Sequence, residues 1–131
     1  MMPIGTLSKL SGVHIETIRY YERVGVLPTA ERSASGRRVY GEADVKKLAF
    51  VRHARELGFD LTSVRALLAL QEHPERSCQA ASQLANAQLV AVESRLRRLS
   101  VLRDELASMV RGCGKGRVAD CRVMEALANA S

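Results

Sequence analysis

The sequence predicts a mainly α-helical fold: an N-terminal winged helix-turn-helix head, a long coiled-coil dimerisation helix, and a loop with a short helix after it. Three observations carry this. Residues 80–111 contain neither Gly nor Pro and are rich in the strong helix formers Ala, Leu, Gln, Glu and Arg. Within them Ala85, Leu89, Val92, Leu96, Leu99, Leu102, Leu106 and Met109 step by four and three, a heptad-like seam. Ahead of them stand two short helical segments broken at Ser11-Gly12, then a basic run with a small-residue turn at Ser35-Gly36. The expected organisation is a head with accessory helices over 1–76, the coil over 77–111 and the C-terminal part over 112–131.

The totals set bounds. A chain of 131 residues with 47% hydrophobic content suits one core-bearing domain plus an extension. No apolar run is long enough to span a bilayer. The N-terminus lacks a charged-then-apolar signal pattern, so the cytoplasm is the expected compartment. Formal charge is +6, which favours polyanionic partners. Residues 1–60 and 61–131 each hold ten basic and seven acidic side chains, so net charge does not locate a nucleic-acid face; position must. An odd cysteine count of 3 speaks against a closed set of intramolecular disulfides. In a reducing cytoplasm such thiols are buried, reactive or metal-binding.

Each element has its own signals. Residues 4–10, with Ile4, Leu7 and Leu10 apolar, form a first helix stopped at Ser11-Gly12. A second runs from about Ile15 to Val24 and stops at Gly25; two short helices around a Gly-containing turn make a helix-turn-helix. Ile15 and Ile18 face inward. The exposed side includes Thr17, Arg19 and Tyr20, residue types that suit phosphate and base-edge contacts in a major groove. Arg32 to Tyr40 reads as a hairpin whose tip, Ser35-Gly36, can approach a backbone, with Arg32, Arg37 and Arg38 offered to phosphates and Tyr40 completing the candidate set. Together these are a winged helix. A third helix, 42–57, has Leu48, Val51, Ala54 and Leu57 as its inner face and Gly58 as its stop. A fourth, 61–71, is capped by Asp60 and turns Leu61, Val64, Leu67 and Leu68 inward. Glu72-His-Pro-Glu-Arg76 breaks it, and Ser77 caps the long helix with Cys78 in the first turn. As one helix, residues 80–111 would be roughly 48 Å long. A seam so narrow and so flanked by charge needs a twin helix, with Leu89, Val92, Leu96, Leu99 and Leu106 at the dimer contact.

Three segments in fixed register, Glu16-Thr-Ile-Arg-Tyr-Tyr-Glu22 with Gly25, Arg32-Ser…Gly36-x-Arg-x-Tyr40, and Arg52-x-Ala-Arg-Glu-Leu-Gly-Phe59, resemble the mercury-resistance-regulator (MerR) family of bacterial transcription factors over nearly the whole chain. The resemblance implies an antiparallel coiled-coil homodimer with an effector site beyond the coil. It also implies a cytoplasmic activator on a pseudo-palindromic double-stranded promoter, bound with RNA polymerase. The promoter's polymerase-contact elements are too far apart, and effector binding bends and untwists the spacer. By position it makes Arg19, Tyr20, Arg32, Arg37 and Arg38 DNA contacts, although the family often has Tyr at the place of Arg37.

Cys113-Gly-Lys-Gly-Arg-Val-Ala-Asp-Cys121 has a glycine-bearing loop able to fold back and approach two thiols, and its place after the coil matches the family's metal-sensing branch. Thiolates prefer soft metals. Val118, Val123, Met124 and Leu127 are the apolar face of a short helix there. Cys78 stands where the divalent-metal branch carries Cys and the copper-sensing branch Ser. A helix N-terminus favours its thiolate. In the antiparallel dimer implied by the family, Cys78 of one protomer meets Cys113 and Cys121 of the other. Three sulfurs leave −1 on a divalent ion, which Arg111, Lys115, Arg117 and Arg122 offset in part. The expected effector is thus a divalent soft ion: lead or cadmium, then mercury or zinc. The alternative is a monovalent copper, silver or gold sensor using Cys113 and Cys121 alone. His14, His53 and His73 are read as structural or surface residues. An organic cofactor, a membrane partner and an enzyme activity are not expected, since neither a nucleophile–base pair nor a carboxylate pair is found. A redox regulator would need four clustered cysteines, and a drug sensor a larger domain after Arg111.

Overall fold

The computed structural model describes residues 1–112 and 116–129. Six α-helices and a two-stranded sheet follow in order: α1 (Ile4–Ser11), α2 (Ile15–Arg23), β1 (Glu31–Arg32), β2 (Arg38–Val39), α3 (Glu42–Glu56), α4 (Leu61–Gln71), α5 (Gln79–Arg111) and α6 (Arg122–Ala128), with a 3₁₀ turn at Val118–Asp120 before α6. The chain falls into two compact units, Met1–Leu84 and Ala85–Ser131.

In the first unit, α1 packs on α2 and α3, and α3 on α4. Leu7, Ile18, Leu48, Val51 and Val64 are fully enclosed, with Val13, Tyr21, Val26, Leu27, Tyr40, Ala54 and Leu68 around them. The helix-turn-helix corner is set at Gly12, whose φ of 74° places it in the left-handed region that glycine enters without cost. Ser8 Oγ donates to Val13 O at 2.6 Å, and the buried Ser11 hydroxyl accepts from Val13 N at 3.2 Å. A Cβ at Gly12 would press on the Arg52 guanidinium at 2.8 Å, so α3 also bears on the corner.

The hairpin pairs Glu31 with Val39 and Arg32 with Arg38, antiparallel. Its turn is closed by Ser33 N–H to Arg37 O at 2.7 Å and Gly36 N–H to Ser33 O at 2.9 Å. One residue on, Tyr40 exchanges both backbone hydrogen bonds with Met2. The α3 start is fixed by the Asp44 carboxylate, which accepts from Gly41 N–H at 2.9 Å. Asp60 caps α4, accepting from Ser63 N–H at 2.8 Å; that bond holds its carboxyl below the usual range. At the entry to α5, Ser77 Oγ accepts from Gln79 N–H at 3.1 Å.

Three placements differ from expectation. Leu57 is not on the inner face of α3: the helix ends at Glu56, and Leu57 is 55% exposed where the chain leaves through left-handed Gly58. Cys78 precedes the first turn of α5; its carbonyl accepts from Ser82 N–H at 2.9 Å, which makes it the boundary residue. Val118 belongs to the 3₁₀ turn, 72% exposed, so the apolar face of α6 begins later, at Val123.

The second unit is mostly α5. Leu89, Val92, Leu96, Leu99, Leu102 and Leu106 are all exposed along it, and the helix buries no residue. A Cβ at Gly112 would collide with Cδ of Arg122, so a larger residue there would require that exposed side chain to move aside. Among the described residues no helix is long and apolar enough to cross a membrane.

Candidate functional site

Two groups of residues concentrate chemistry: one lies within the first unit, and the other is the cysteines, of which Cys78 belongs to the first unit and Cys121 to the second. The first is the surface shared by α2 and the hairpin. On α2, Arg19 is about half exposed and held by Glu16, 3.2 Å away. Tyr20 is 41% exposed, with Arg23 over its ring at 5.8 Å. Thr17 is partly exposed and borders a depression of about 330 Å³ at the start of α2, lined also by His14, Arg52 and Arg55. On the hairpin Arg32, Arg37 and Arg38 are exposed. Arg32 Nη1 donates back to Gly36 O at 2.7 Å.

Tyr40 departs from expectation. Assigned to the outer, DNA-facing set, it is 2% exposed and belongs to the core. Its hydroxyl donates to Glu22 Oε1 on α2. The pairing with Met2 puts its ring on the inner face, where an aromatic body is buried and a polar tip finds one acceptor. Burial and then the Glu22 carboxylate push its hydroxyl up to about 12. Sequence reasoning missed Glu22, whose side chain is 7% exposed and whose other oxygen lies 3.5 Å from Arg38 Nη1. The available signal was a carboxylate in the last turn of a helix with a basic end, where a solvent-facing acid is disfavoured.

The second group is the thiols. Cys78 is free and exposed. It borders a depression of about 270 Å³ with Phe50, Leu67, Leu70, His73 and Pro74. His73 is engaged by Glu75 at 3.6 Å, in keeping with a surface role. Cys121 is half-buried at the entry to α6 and disulfide-bonded in this structure, so metal chemistry applies to its reduced form. Arg117 lies 3.7 Å from Asp120. The expectations placed on Cys113 and Lys115 lie outside the described residues. Among the described residues no three His, Cys, Asp or Glu side chains stand together as an ion-holding group. The donor set has the softness for heavy metals; a complete site is not assembled from the described residues of one chain.

Residues 2–71 match the family described as MerR HTH family regulatory protein, and residues 45–109 that described as MerR, DNA binding. The chain belongs to the MerR family. MerR proteins are transcriptional regulators, a non-enzymatic family. The chain is 38% identical over 114 residues to the transcriptional regulator ZntR of Escherichia coli strain K12, covering 86% of this chain and 81% of that one. It is 35% identical over 130 residues to heavy metal-dependent transcription regulator 2 of Rhizobium meliloti, covering 99% and 88%. The crystal structure of PbrR691 from Ralstonia metallidurans CH34 in complex with lead(II) superposes with a TM-score of 0.81 at 32% identity, covering 97% of this chain and 99% of that chain. The MerR fold is therefore shared from end to end with a regulator that holds lead.

Proposed function

We propose that this MerR-family chain is a metal-responsive activator. As a homodimer it binds a pseudo-palindromic promoter through α2 and the hairpin. It distorts that DNA when a divalent soft metal, lead or cadmium first and mercury or zinc after them, occupies three thiolates. Cys78 of one protomer and Cys113 and Cys121 of the other supply the thiolates. The observation that carries the reading is the free, exposed thiol of Cys78 at the entry to α5, in a chain that parallels a lead-bound regulator along its length.

Physical arguments support the parts. A helix as long as α5, 33 residues, spans about 50 Å and leaves its apolar seam exposed, which a second copy would cover. Ligands drawn from both protomers would then make metal binding a statement about the dimer. Arg19 and Tyr20 on α2, with Thr17 at its start, and Arg32, Arg37 and Arg38 on the hairpin give base-edge and phosphate partners respectively. RNA polymerase is the partner at the promoter, the cytoplasm the place of action. The metal's contribution when bound is charge and a fixed three-sulfur geometry; the residues of the chain hold the dimer ends and the DNA-facing surfaces.

Competitive metal titration of the reduced protein, read by thiolate-to-metal absorption with promoter transcription followed in parallel, tests this. Three-sulfur absorption with lead or cadmium, rising together with transcription, is the expected result. Response to copper or silver alone, through two sulfurs, would replace it with the monovalent alternative.

A further inference from the structure

Arg32 and Arg38 stand directly opposite one another across the hairpin. Like charges in that position destabilise a strand pair, so fold stability does not ask for them. Their charges are disposed differently. Arg32 turns back to the carbonyl of Gly36, whereas Arg38 reaches across to Glu22 on α2, 3.5 Å from Oε2. The carboxylate that receives it is nearly enclosed, 7% exposed, while the Arg38 side chain stays 45% exposed. The other carboxylate oxygen is held by the Tyr40 hydroxyl, from a residue 2% exposed. Tyr40 is itself locked by two backbone bonds to Met2. Glu22 therefore has little freedom of its own, and what it grips is the outward-facing cation of a different element.

We propose that Glu22 is a positioning residue for DNA recognition: anchored by Tyr40, it holds the Arg38 guanidinium at a fixed place beside α2, so that hairpin and helix meet the duplex in one register. This rests on the reading of α2 and the hairpin as the DNA-contacting elements. A guanidinium has five N–H donors, and those directed at Glu22 and the Tyr40 hydroxyl leave the others for a phosphate. The carboxylate also cancels part of the Arg38 charge, so Glu22 trades indiscriminate attraction to polyanions for orientation.

The test uses the full-length reduced dimer and two labelled duplexes, one enriched from a random library by the wild-type protein and one of random sequence. Affinities are read by fluorescence anisotropy over a range of salt. Glu22→Gln keeps the volume and an acceptor for Tyr40 but removes the charge. It is expected to lower the ratio of selected to random affinity about five-fold, with random-duplex binding unchanged or tighter and its salt slope no shallower. In an Arg38→Ala background the same substitution should change the ratio by less than roughly two-fold. Equal weakening on both duplexes, or an undiminished Glu22→Gln effect without Arg38, would show action through the fold alone and overturn the proposal. So would an unchanged ratio in Glu22→Gln. If that variant melts early, Glu22→Asp keeps the charge but withdraws it from Arg38; the same loss of ratio is expected, and its absence counts against the proposal. Arg19→Ala separates the two levels. Weakened binding there with none in Arg38→Ala retains α2 as a DNA element and overturns the role of Glu22. Wild-type affinity in both variants removes the DNA assignment itself, and the proposal with it.

Discussion

Charge counting at Cys78 makes the proposed metal preference testable at a single atom. Three thiolates leave −1 on a divalent ion but −2 on a monovalent one, a costly excess where solvent is limited. Cys78→Ser should therefore cut the response to lead, cadmium or mercury while sparing or improving that to copper or silver, measured as transcription against metal concentration. Tyr40 offers a second test, independent of metal. Its hydroxyl is raised from 10.0 to about 12 in the fold, so the neutral form is the one the structure favours. The stability this contributes is fully present below about pH 10 and lost as pH rises toward 12, on the order of 3 kcal/mol. Thermal melts of the wild type should hold to about pH 10 and then fall. Tyr40→Phe should cost about 1–3 kcal/mol at neutral pH, because Glu22 loses a partner, and should flatten the alkaline loss. At this scale the sequence was only partly legible. Tyr40 in a basic hairpin reads the same whether it faces a groove or the core, and only its pairing with Met2, a contact distant in sequence, turns it inward. Cys78, by contrast, could be placed to within one residue because Ser77 is a local cap.

Among the elements, α5 gives the sharpest expectation. Leu96 is 60% exposed in the single chain and lies mid-seam. Leu96→Glu would set a charge against its counterpart in the proposed dimer, and analytical ultracentrifugation should show monomers that no longer bind duplex DNA. A variant that still sediments as a tight dimer would move the interface off α5. The proposed DNA-facing elements separate by kind of contact. Arg19→Ala should cost about 1–3 kcal/mol if the guanidinium reads a base edge, whereas Arg37→Ala, proposed as a phosphate contact, should weaken all sequences alike and reduce the salt slope. Anisotropy titrations at several salt concentrations distinguish the two. Helix bounds were readable because their signals are local: Gly12 and Gly58 as left-handed stops, Asp60 as a cap, an unbroken run without Gly or Pro for α5. Leu57 was misplaced for the complementary reason. Helical periodicity continues one residue past the end of the helix at Glu56, so an apolar residue in phase with the inner face is nonetheless outside.

For the whole molecule, the proposed site exists only in the assembled pair. A heterodimer of a Cys78→Ser chain with a Cys113→Ser, Cys121→Ser chain should keep one intact three-thiol site, since the first supplies Cys113 and Cys121 and the second Cys78. Three-sulfur absorption in that heterodimer is the expected result; its loss, with wild type unaffected, would put the ligands within one chain. That sharing could not be read from the residues, because heptad spacing specifies a partner helix without saying which ends meet; it came with the family. The exposed seam of α5 has a further bearing, on how much of this protein a cell can keep. Alone, each chain displays Leu89, Leu96, Leu99, Leu102 and Leu106 to solvent, the kind of surface that chaperones and proteases survey. Under the proposed pairing, a chain's lifetime is set by how often newly made chains find one another, so that dilution below the pairing threshold removes the protein itself rather than leaving an idle pool.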